Sequence, residues 1–158
     1  WSLIYTVTVP ASKSAGPAVT EGDVARCYAH TPTGALLAVA QITARYVWAP
    51  GWATVTERQT TGDGKAAYLQ ARKKVEASTG PATPEADRHG QLAAFKFVTY
   101  GADTAVIQLV HRFSTGRLVM TPVTAVWQGG DWVLSLSASP APQVTLTSLQ
   151  GYVPFGGV

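Results

Sequence analysis

Two β-strands joined by a tight turn are the feature that most constrains the fold of this chain. From Val119 to Leu136, apolar or small residues recur at every second position on both sides of Gly129-Gly130. Such alternation is typical of a strand with one buried face, and a Gly-Gly loop tolerates the positive φ angles of a tight hairpin. The predicted cross-strand pairs are Gln128 with Asp131, Trp127 with Trp132, Ala125 with Leu134 and Val123 with Leu136.

Two further strands precede the hairpin and extend it into a sheet. Leu92–Tyr100 and Thr104–Ser114 are separated by turn residues, and the hairpin strands run over Arg117–Gln128 and Asp131–Ala138. Pro122 has no backbone N–H, so its strand must be bulged there or free of a partner on one side. Together the four strands predict an antiparallel meander.

An almost entirely apolar stretch before the sheet predicts a buried helix. Thr31 is a favourable N-cap, and Pro32 occupies the first helical position, where its missing N–H costs nothing. Ala35–Ala49 follows with almost no polar face, and Pro50-Gly51 ends the helix. We therefore expect this helix to be central and to be surrounded by the sheet.

The remaining segments are more polar or shorter. Trp52–Gln59 is interpreted as a short helix or turn, and Asp63–Ala77 as a second, more exposed helix. Ser2–Val9 predicts a strand or extended arm, and Ala11–Gly22 a loop. Ser78–Gln91 is polar and broken by prolines, which predicts a surface linker.

The order of these elements predicts an α+β fold with one domain. Residues 1–22 form an N-terminal arm, 23–139 the domain and 140–158 a C-terminal tail. We expect a curved, four-stranded antiparallel meander wrapped around the buried N-terminal helix, as in cone or cystatin-like folds, with the arm as an optional extra strand.

Composition excludes several classes of function. Charged residues make up 13% of the chain, and the net charge of +3 is too small and too scattered for a nucleic-acid-binding surface. The single cysteine, Cys27, excludes internal disulfides and a cysteine-based zinc site. A small buried thiol is the favoured interpretation of Cys27, although the neighbouring Arg26 and His30 would suit a nucleophile. Low charge with abundant Ala, Gly and Thr is typical of extracytoplasmic or assembled proteins.

His111 is the most informative polar residue of the strands, because it shares an apolar face with Ile107, Leu109 and Phe113. A pocket lined by His111, Phe113 and Tyr100 is one interpretation, and a core histidine with satisfied hydrogen bonds is the commoner one. The strands carry no carboxylate beside the histidine, and the sequence has no nucleophile elbow, phosphate loop or dinucleotide motif. No catalytic residue, metal ligand or cofactor is therefore predicted.

Aromatic residues near the chain termini point to an interface. Trp1 and Tyr5 lie in the N-terminal arm, and Tyr152 and Phe155 lie in the tail. Large aromatic side chains on terminal segments have less of their own domain to pack against, and they are enriched at protein–protein interfaces.

Two motifs carry a resemblance to a known group of proteins. They are Tyr28-Ala29-His30-Thr31-Pro32-Thr33-Gly34-Ala35 before the buried helix and Val126-Trp127-Gln128-Gly129-Gly130-Asp131-Trp132-Val133-Leu134 in the hairpin. The chain resembles extracytoplasmic domains of actinobacterial membrane-anchored proteins. Those domains are similar to the nuclear-transport-factor-two-like cone fold and to the periplasmic domain of the inner-membrane assembly factor of type IV secretion and conjugation systems.

The resemblance covers about residues 23–138 and implies a location and a role. It implies a single-pass anchor before Trp1, a position on the extracytoplasmic face of the cell membrane, and scaffolding with self-association. Thr31, Pro32, Gly34, Trp127, Gly129, Gly130 and Trp132 are then structural residues. The partners would be other envelope proteins or further copies of the chain, without nucleic acid or metal, and with membrane contact only through the segment before Trp1.

Three hypotheses of function follow. The first is a non-enzymatic assembly module of a conjugation or secretion-like envelope complex. The second is a small-ligand-binding or enzymatic cone-fold domain with a pocket near His111. The third is a structural subunit of a larger particle that docks by its terminal arms.

Overall fold

The computed structural model describes residues 1–81 and 89–156. Within these ranges the chain has an α+β architecture with three helices and eleven strands. The helices are α1 (Pro32–Trp48), α2 (Trp52–Gln59) and α3 (Lys65–Thr79). The strands are β1 (Ser2–Ile4), β2 (Val7–Val9), β3 (Val19–Glu21), β4 (Val24–Arg26), β5 (Thr60–Thr61), β6 (Gln91–Tyr100), β7 (Thr104–Arg112), β8 (Leu118–Gln128), β9 (Asp131–Ser135), β10 (Val144–Leu146) and β11 (Val153–Pro154).

The main sheet has the strand order β11-β6-β7-β8-β9-β5, and β10 also pairs with β8. Strands β6 to β9 are antiparallel neighbours in chain order. Three of the predicted hairpin pairs are present: Gln128 with Asp131, Trp127 with Trp132, and Ala125 with Leu134. The fourth prediction is wrong, because β9 ends before Leu136, whose N–H donates to the Thr61 carbonyl at 2.8 Å.

Pro122 lies where β8 changes partners. On one side it faces Gln108 of β7. On the other side β10 pairs with residues 118–120 and β9 with residues 124–128, which leaves residues 121–123 without a strand partner in the described sheet. Of the two predicted solutions for this proline, the strand free on one side is the one observed.

Helix α1 is buried along most of its length, as predicted. The Thr31 hydroxyl accepts a hydrogen bond from the Gly34 N–H at 3.1 Å, and Pro32 begins the helix. A Cβ at Gly34 would lie 1.9 Å from the Ala29 carbonyl oxygen, so only glycine fits there. The helix even buries Gln41 and Arg45, which are satisfied by the carbonyls of Pro10 and Asp23 and by each other.

Helix α2 matches its predicted range, and α3 is exposed as expected, with no buried residue. Helix α3 begins two residues later than predicted and also ends two residues later. Asp63 does not belong to this helix, because its carboxylate accepts a hydrogen bond from the Ala138 N–H at 2.9 Å. This contact ties the loop before α3 to the chain segment after β9.

The N-terminal segment differs from a single strand or arm. Strands β1 and β2 form a hairpin whose turn contains Tyr5 at φ 56°, and Ile4, Val7 and Val9 join the main hydrophobic core. The predicted loop 11–22 contains β3, which pairs with β4 in a second hairpin. Local periodicity over three-residue strands is too short to indicate either hairpin.

The C-terminal segment covers the second face of the sheet. Ala94, Val110, Leu118 and Met120 form a cluster on which Leu146, Leu149 and Tyr152 pack. These side chains alternate with those that face α1, so β8 is apolar on both faces near its start. Such a sheet needs cover on both sides, and β10 and its flanking residues provide it.

The segment between α3 and β6 is shorter at both ends than the predicted linker 78–91. Helix α3 extends to Thr79 and β6 begins at Gln91, while residues 82–88 lie outside the described ranges. His89 is buried rather than exposed, because its ring hydrogen-bonds to the Thr6 hydroxyl at 2.7 Å and packs on Trp48 at 4.0 Å.

The two sequence motifs contact each other directly. The Asp131 carboxylate accepts hydrogen bonds from the backbone N–H groups of Cys27 at 2.6 Å, Tyr28 at 2.9 Å and Trp132 at 2.9 Å. The Trp132 indole N–H donates to the Ala29 carbonyl at 3.0 Å. The ring of His30 stacks on Trp127 at 3.9 Å. The hairpin thereby holds the loop that leads into α1.

Replacing Asp131 tests this contact. Asp131→Ala leaves several partly buried N–H groups without an acceptor, and we expect the free energy of unfolding to fall by about 1–3 kcal/mol. Asp103→Ala is the matched control, since the Asp103 side chain is 76% exposed, and a change within about 0.5 kcal/mol is expected. Denaturant titration of both variants measures the difference, and equal losses would contradict the role of Asp131.

Candidate functional site

His111 and Phe113 line a pocket of about 270 Å³ against the C-terminal half of α1. Helix α1 contributes Thr43 and Trp48 to the wall. Gly90 is required here, because a Cβ at this position would lie 2.8 Å from the Cβ of His111. Two of the three predicted pocket residues are therefore brought together, and they face the helix as their place on the apolar face of β7 indicated.

Burial controls the protonation of His111. Removal of its ring from water lowers the pKa of His111 from its usual value of 6.5 to about 4. The imidazole is therefore neutral at pH 7, with a nitrogen lone pair available to a hydrogen-bond donor. No carboxylate lines this pocket among the described residues.

Tyr100, the third predicted pocket residue, lies elsewhere. It pairs with Ala105 at one end of the β6–β7 ladder, whereas His111 pairs with Leu92 at the other. Its ring lies 6.2 Å from Phe97 and 6.2 Å from Trp132. Alternation along single strands indicates a shared face but not the distance along the sheet, and for this reason the sequence grouped Tyr100 with His111.

A second, wider cavity of about 610 Å³ adjoins the His111 pocket. Both cavities are lined by Thr43, Tyr46, Thr121 and Gln143. The wider one lies beside residues 121–123 of β8, which lack a strand partner on one side in the described sheet, and is bounded by residues 140–143. The sequence did not predict this cavity, although Pro122 and the Pro140-Ala141-Pro142 segment are the signals of an interrupted sheet edge.

The predicted interface residues have different surroundings. Trp1 and Phe155, at opposite ends of the chain, contact each other with ring centroids 6.2 Å apart. Tyr152 packs on the second cluster and donates a hydrogen bond to the Gln108 side chain at 3.0 Å. Tyr5 is half-buried in the β1–β2 turn. Only Trp1 of these four is a large exposed side chain.

An aromatic row continues from Trp1 along the edge of the sheet. Phe155 lies 4.9 Å from Phe95, Phe95 lies 6.1 Å from Phe97, and Phe97 lies 6.2 Å from Tyr100. Strand β11 pairs only with Ala94 and Phe95. The outer edge of β6 from residue 96 to residue 100 is thus open in the part of the chain that the structure describes. We call these residues the open edge of β6.

A polar cleft of about 530 Å³ is lined by the β8–β9 turn and contains Cys27. The expectation of a buried thiol is wrong, because Cys27 is exposed. Its backbone has φ 67°, in the left-handed region, while its N–H is held by Asp131. The nearby Arg26 and Arg58 both pair with Glu21, at 2.7 Å and 3.5 Å.

Residues 1–81 and 89–156 contain no group of three or more potential metal ligands, and none of their helices is long and apolar enough to cross a membrane. A family model described as a domain of unknown function (DUF8175) matches residues 1–154, so the chain belongs to this family. No curated protein and no solved structure matches the chain significantly.

The lowered pKa of His111 predicts acid sensitivity. Between pH 6.5 and about 4 the unfolded chain binds a proton at this ring and the folded chain does not. The free energy of unfolding should therefore decrease as the pH falls through this window, by up to about 1.4 kcal/mol per pH unit. His111→Gln should flatten this dependence in denaturant titrations at several pH values. His89, whose pKa is lowered by burial, and Glu21, whose pKa is lowered by its hydrogen bond with Arg26, contribute to the slope that remains; an unchanged slope would contradict the prediction.

Proposed function

We propose that this member of the DUF8175 family is a non-enzymatic assembly module of an extracytoplasmic envelope complex of the conjugation or secretion type. It acts through protein–protein contacts with envelope proteins or with further copies of itself. The observation that carries this proposal is the open edge of β6. The related proposal for the fold is a cone of the nuclear-transport-factor-two-like kind, with α1 inside the sheet.

The open edge of β6 has the properties of a surface that pairs with another strand. Val98 is 51% exposed and Tyr100 is 40% exposed, and both belong to the stretch without a partner. Unpaired N–H and C=O groups of an edge strand bind an added strand through main-chain hydrogen bonds, and neighbouring side chains select the partner. Proteins often protect such an edge with charges or bulges. The open edge of β6 has one charged residue, Lys96, and a register shift between Phe97 and Thr99, and its other residues are uncharged.

Aromatic residues near both ends of the chain support the same docking surface. The exposed Trp1 contacts the half-buried Phe155, which contacts Phe95, so a series of aromatic contacts links the open edge to both terminal segments. Aromatic anchors of this kind account for much of the binding energy of protein interfaces. The N-terminal and C-terminal segments form strands that pair within the chain. The open edge of β6 is therefore favoured over freely extending terminal arms as the docking surface.

The surroundings of His111 support a non-enzymatic role. An acid–base mechanism in this pocket would be helped by a carboxylate that orients the histidine or shares its proton, and none lines the pocket among the described residues. The other titratable groups of the lining are Arg117 and Tyr46, and burial raises the pKa of Tyr46 to about 12, while the pKa of about 4 keeps the His111 ring neutral. The pocket is therefore suited to binding rather than to proton transfer at neutral pH.

A charge at the open edge tests the proposed docking surface. Val98→Lys should weaken self-association by at least about tenfold, since a lysine at an edge strand disfavours pairing with another strand. Val75→Lys is the matched control: this valine is 57% exposed on α3, away from the sheet edge. Sedimentation equilibrium over a range of concentrations measures both variants against the unsubstituted chain.

Only a selective effect of Val98→Lys supports the docking surface. Equal weakening by the two variants would mean that general charge repulsion is responsible. A chain that stays monomeric at all concentrations, and that binds no envelope protein through Val98 in site-specific crosslinking, would overturn the proposal.

The proposed location predicts a topology in cells. When the gene is expressed from its natural start, we expect the protein in the membrane fraction and cleavage of its domain only by protease added from outside. The exposed turn at residues 114–116 gives the protease a surface segment to attack. A protein recovered with the cytosol, and protected until the cells are lysed, would contradict the extracytoplasmic assembly role.

A further inference from the structure

The two cavities beside α1 form one continuous groove. Thr43 and Tyr46 of α1 lie on one wall of both, and Thr121 of β8 and Gln143 lie on the other. The groove begins at His111 and widens beside the gap between β9 and β10, where residues 121–123 of β8 have no strand partner on that side among the described residues. A break in the sheet therefore gives an elongated site that is open along the edge of β8. We call this site the α1 groove.

The walls of the α1 groove are largely apolar. Phe113, Val119 and Trp48 line the narrow part, and Leu136, Pro140 and Pro142 line the wide part. Apolar walls with a few polar groups are typical of small-molecule sites, and the combined groove has the elongated form that a flexible chain requires.

Charge is concentrated at one end of the groove. Arg117 is the one charged side chain that lines either cavity in the described part of the chain, and neither cavity has a carboxylate in its lining there. Its guanidinium lies 4.7 Å from the centre of the Phe113 ring, which orients it beside the narrow part. An arginine without a competing carboxylate favours an anionic group, and a carboxylate matches its fork of donors.

One polar group beside the groove has unused hydrogen-bonding capacity. The buried Thr43 hydroxyl has no hydrogen-bond partner among the described residues. The His111 ring, neutral at pH 7, lines the narrow part of the groove as well. A buried polar atom without a partner costs free energy, so a ligand that supplies an oxygen beside Thr43 would remove that cost.

We propose that the α1 groove binds a monocarboxylate with an extended apolar tail, such as a medium-chain fatty acid. The carboxylate pairs with Arg117 and accepts a hydrogen bond from the Thr43 hydroxyl. The tail runs past Tyr46 into the wide part of the groove, beside Leu136 and Pro142. This ligand site goes beyond the assembly role and does not depend on it.

Calorimetric titration of the complete chain with decanoate at pH 7.5 tests the proposal. We expect saturable binding with one decanoate per chain. Decanol keeps the tail without the charge, and butyrate keeps the head without the long tail, so each should bind at least about tenfold more weakly. Absence of saturable decanoate binding overturns the proposal.

Arg117→Gln separates the head group from the tail. It should weaken decanoate binding at least about tenfold, as expected for a lost charge-assisted hydrogen bond, and leave decanol binding unchanged. Arg112→Gln is the matched control, because Arg112 is an exposed arginine at the end of β7 that lines neither cavity of the groove. Equal effects of the two variants would show that decanoate binds by general charge attraction, and they would overturn the proposed site.

Thr121→Phe tests the position of the tail, since a large side chain at the junction of the cavities should block decanoate and decanol alike. An unchanged melting curve shows that the variant is folded; if it does not fold, the Arg117 comparison still decides.

Vesicles of anionic phosphatidylglycerol test whether a free carboxylate is required, because the acyl chains of this lipid are esters and its charge lies on the phosphate. Decanoate binding without vesicle binding supports the proposal. Vesicle binding that decanoate displaces would show that the groove accepts an esterified chain, and it would overturn the proposed pairing of a carboxylate with Arg117.

Discussion

The carboxylate of Asp131 is the contact on which the arrangement of helix and sheet depends. It accepts hydrogen bonds from the backbone of Cys27 and Tyr28, immediately before α1, while belonging to the turn of the β8–β9 hairpin. Trp132 adds a hydrogen bond to Ala29. One charged acceptor thus satisfies N–H groups more than 100 residues away in sequence, and it sets where the buried helix starts relative to the sheet.

With α1 placed against one face of the sheet, the other face is covered by the C-terminal segment. Helix α1 lies against one face, where Ile107, Leu109 and Leu134 are fully buried. The opposite face carries Leu118 and Met120 and is covered by the chain after β10. Both terminal segments therefore pair within the structure. In the described part of the chain, the sheet remains open along residues 96–100 of β6 and along residues 121–123 of β8. The proposed docking surface and the proposed ligand groove are the two consequences.

The candidate sites could be predicted only in part, and the reason is physical. The placement of His111 and Phe113 on one face followed from alternation along β7, and the pocket that they line is present. Tyr100 was grouped with them because periodicity describes a face and not a distance. Cys27 was expected to be buried, but the hydrogen bonds of Asp131 turn its loop outward.

Local chemistry by itself determined the α+β class, the capped and buried helix α1, and the hairpin with its tryptophan pair, since each depends on residues close together in sequence. Contacts between distant segments decided the rest. The paired C-terminal strands and the gap at Pro122 exist because remote residues meet in the folded sheet. The N-terminal hairpin is local, but its three-residue strands are too short to give a periodic signal. Hydrogen bonds between distant segments leave no periodic pattern in the sequence that would indicate the pairing. Only the tertiary structure determines them.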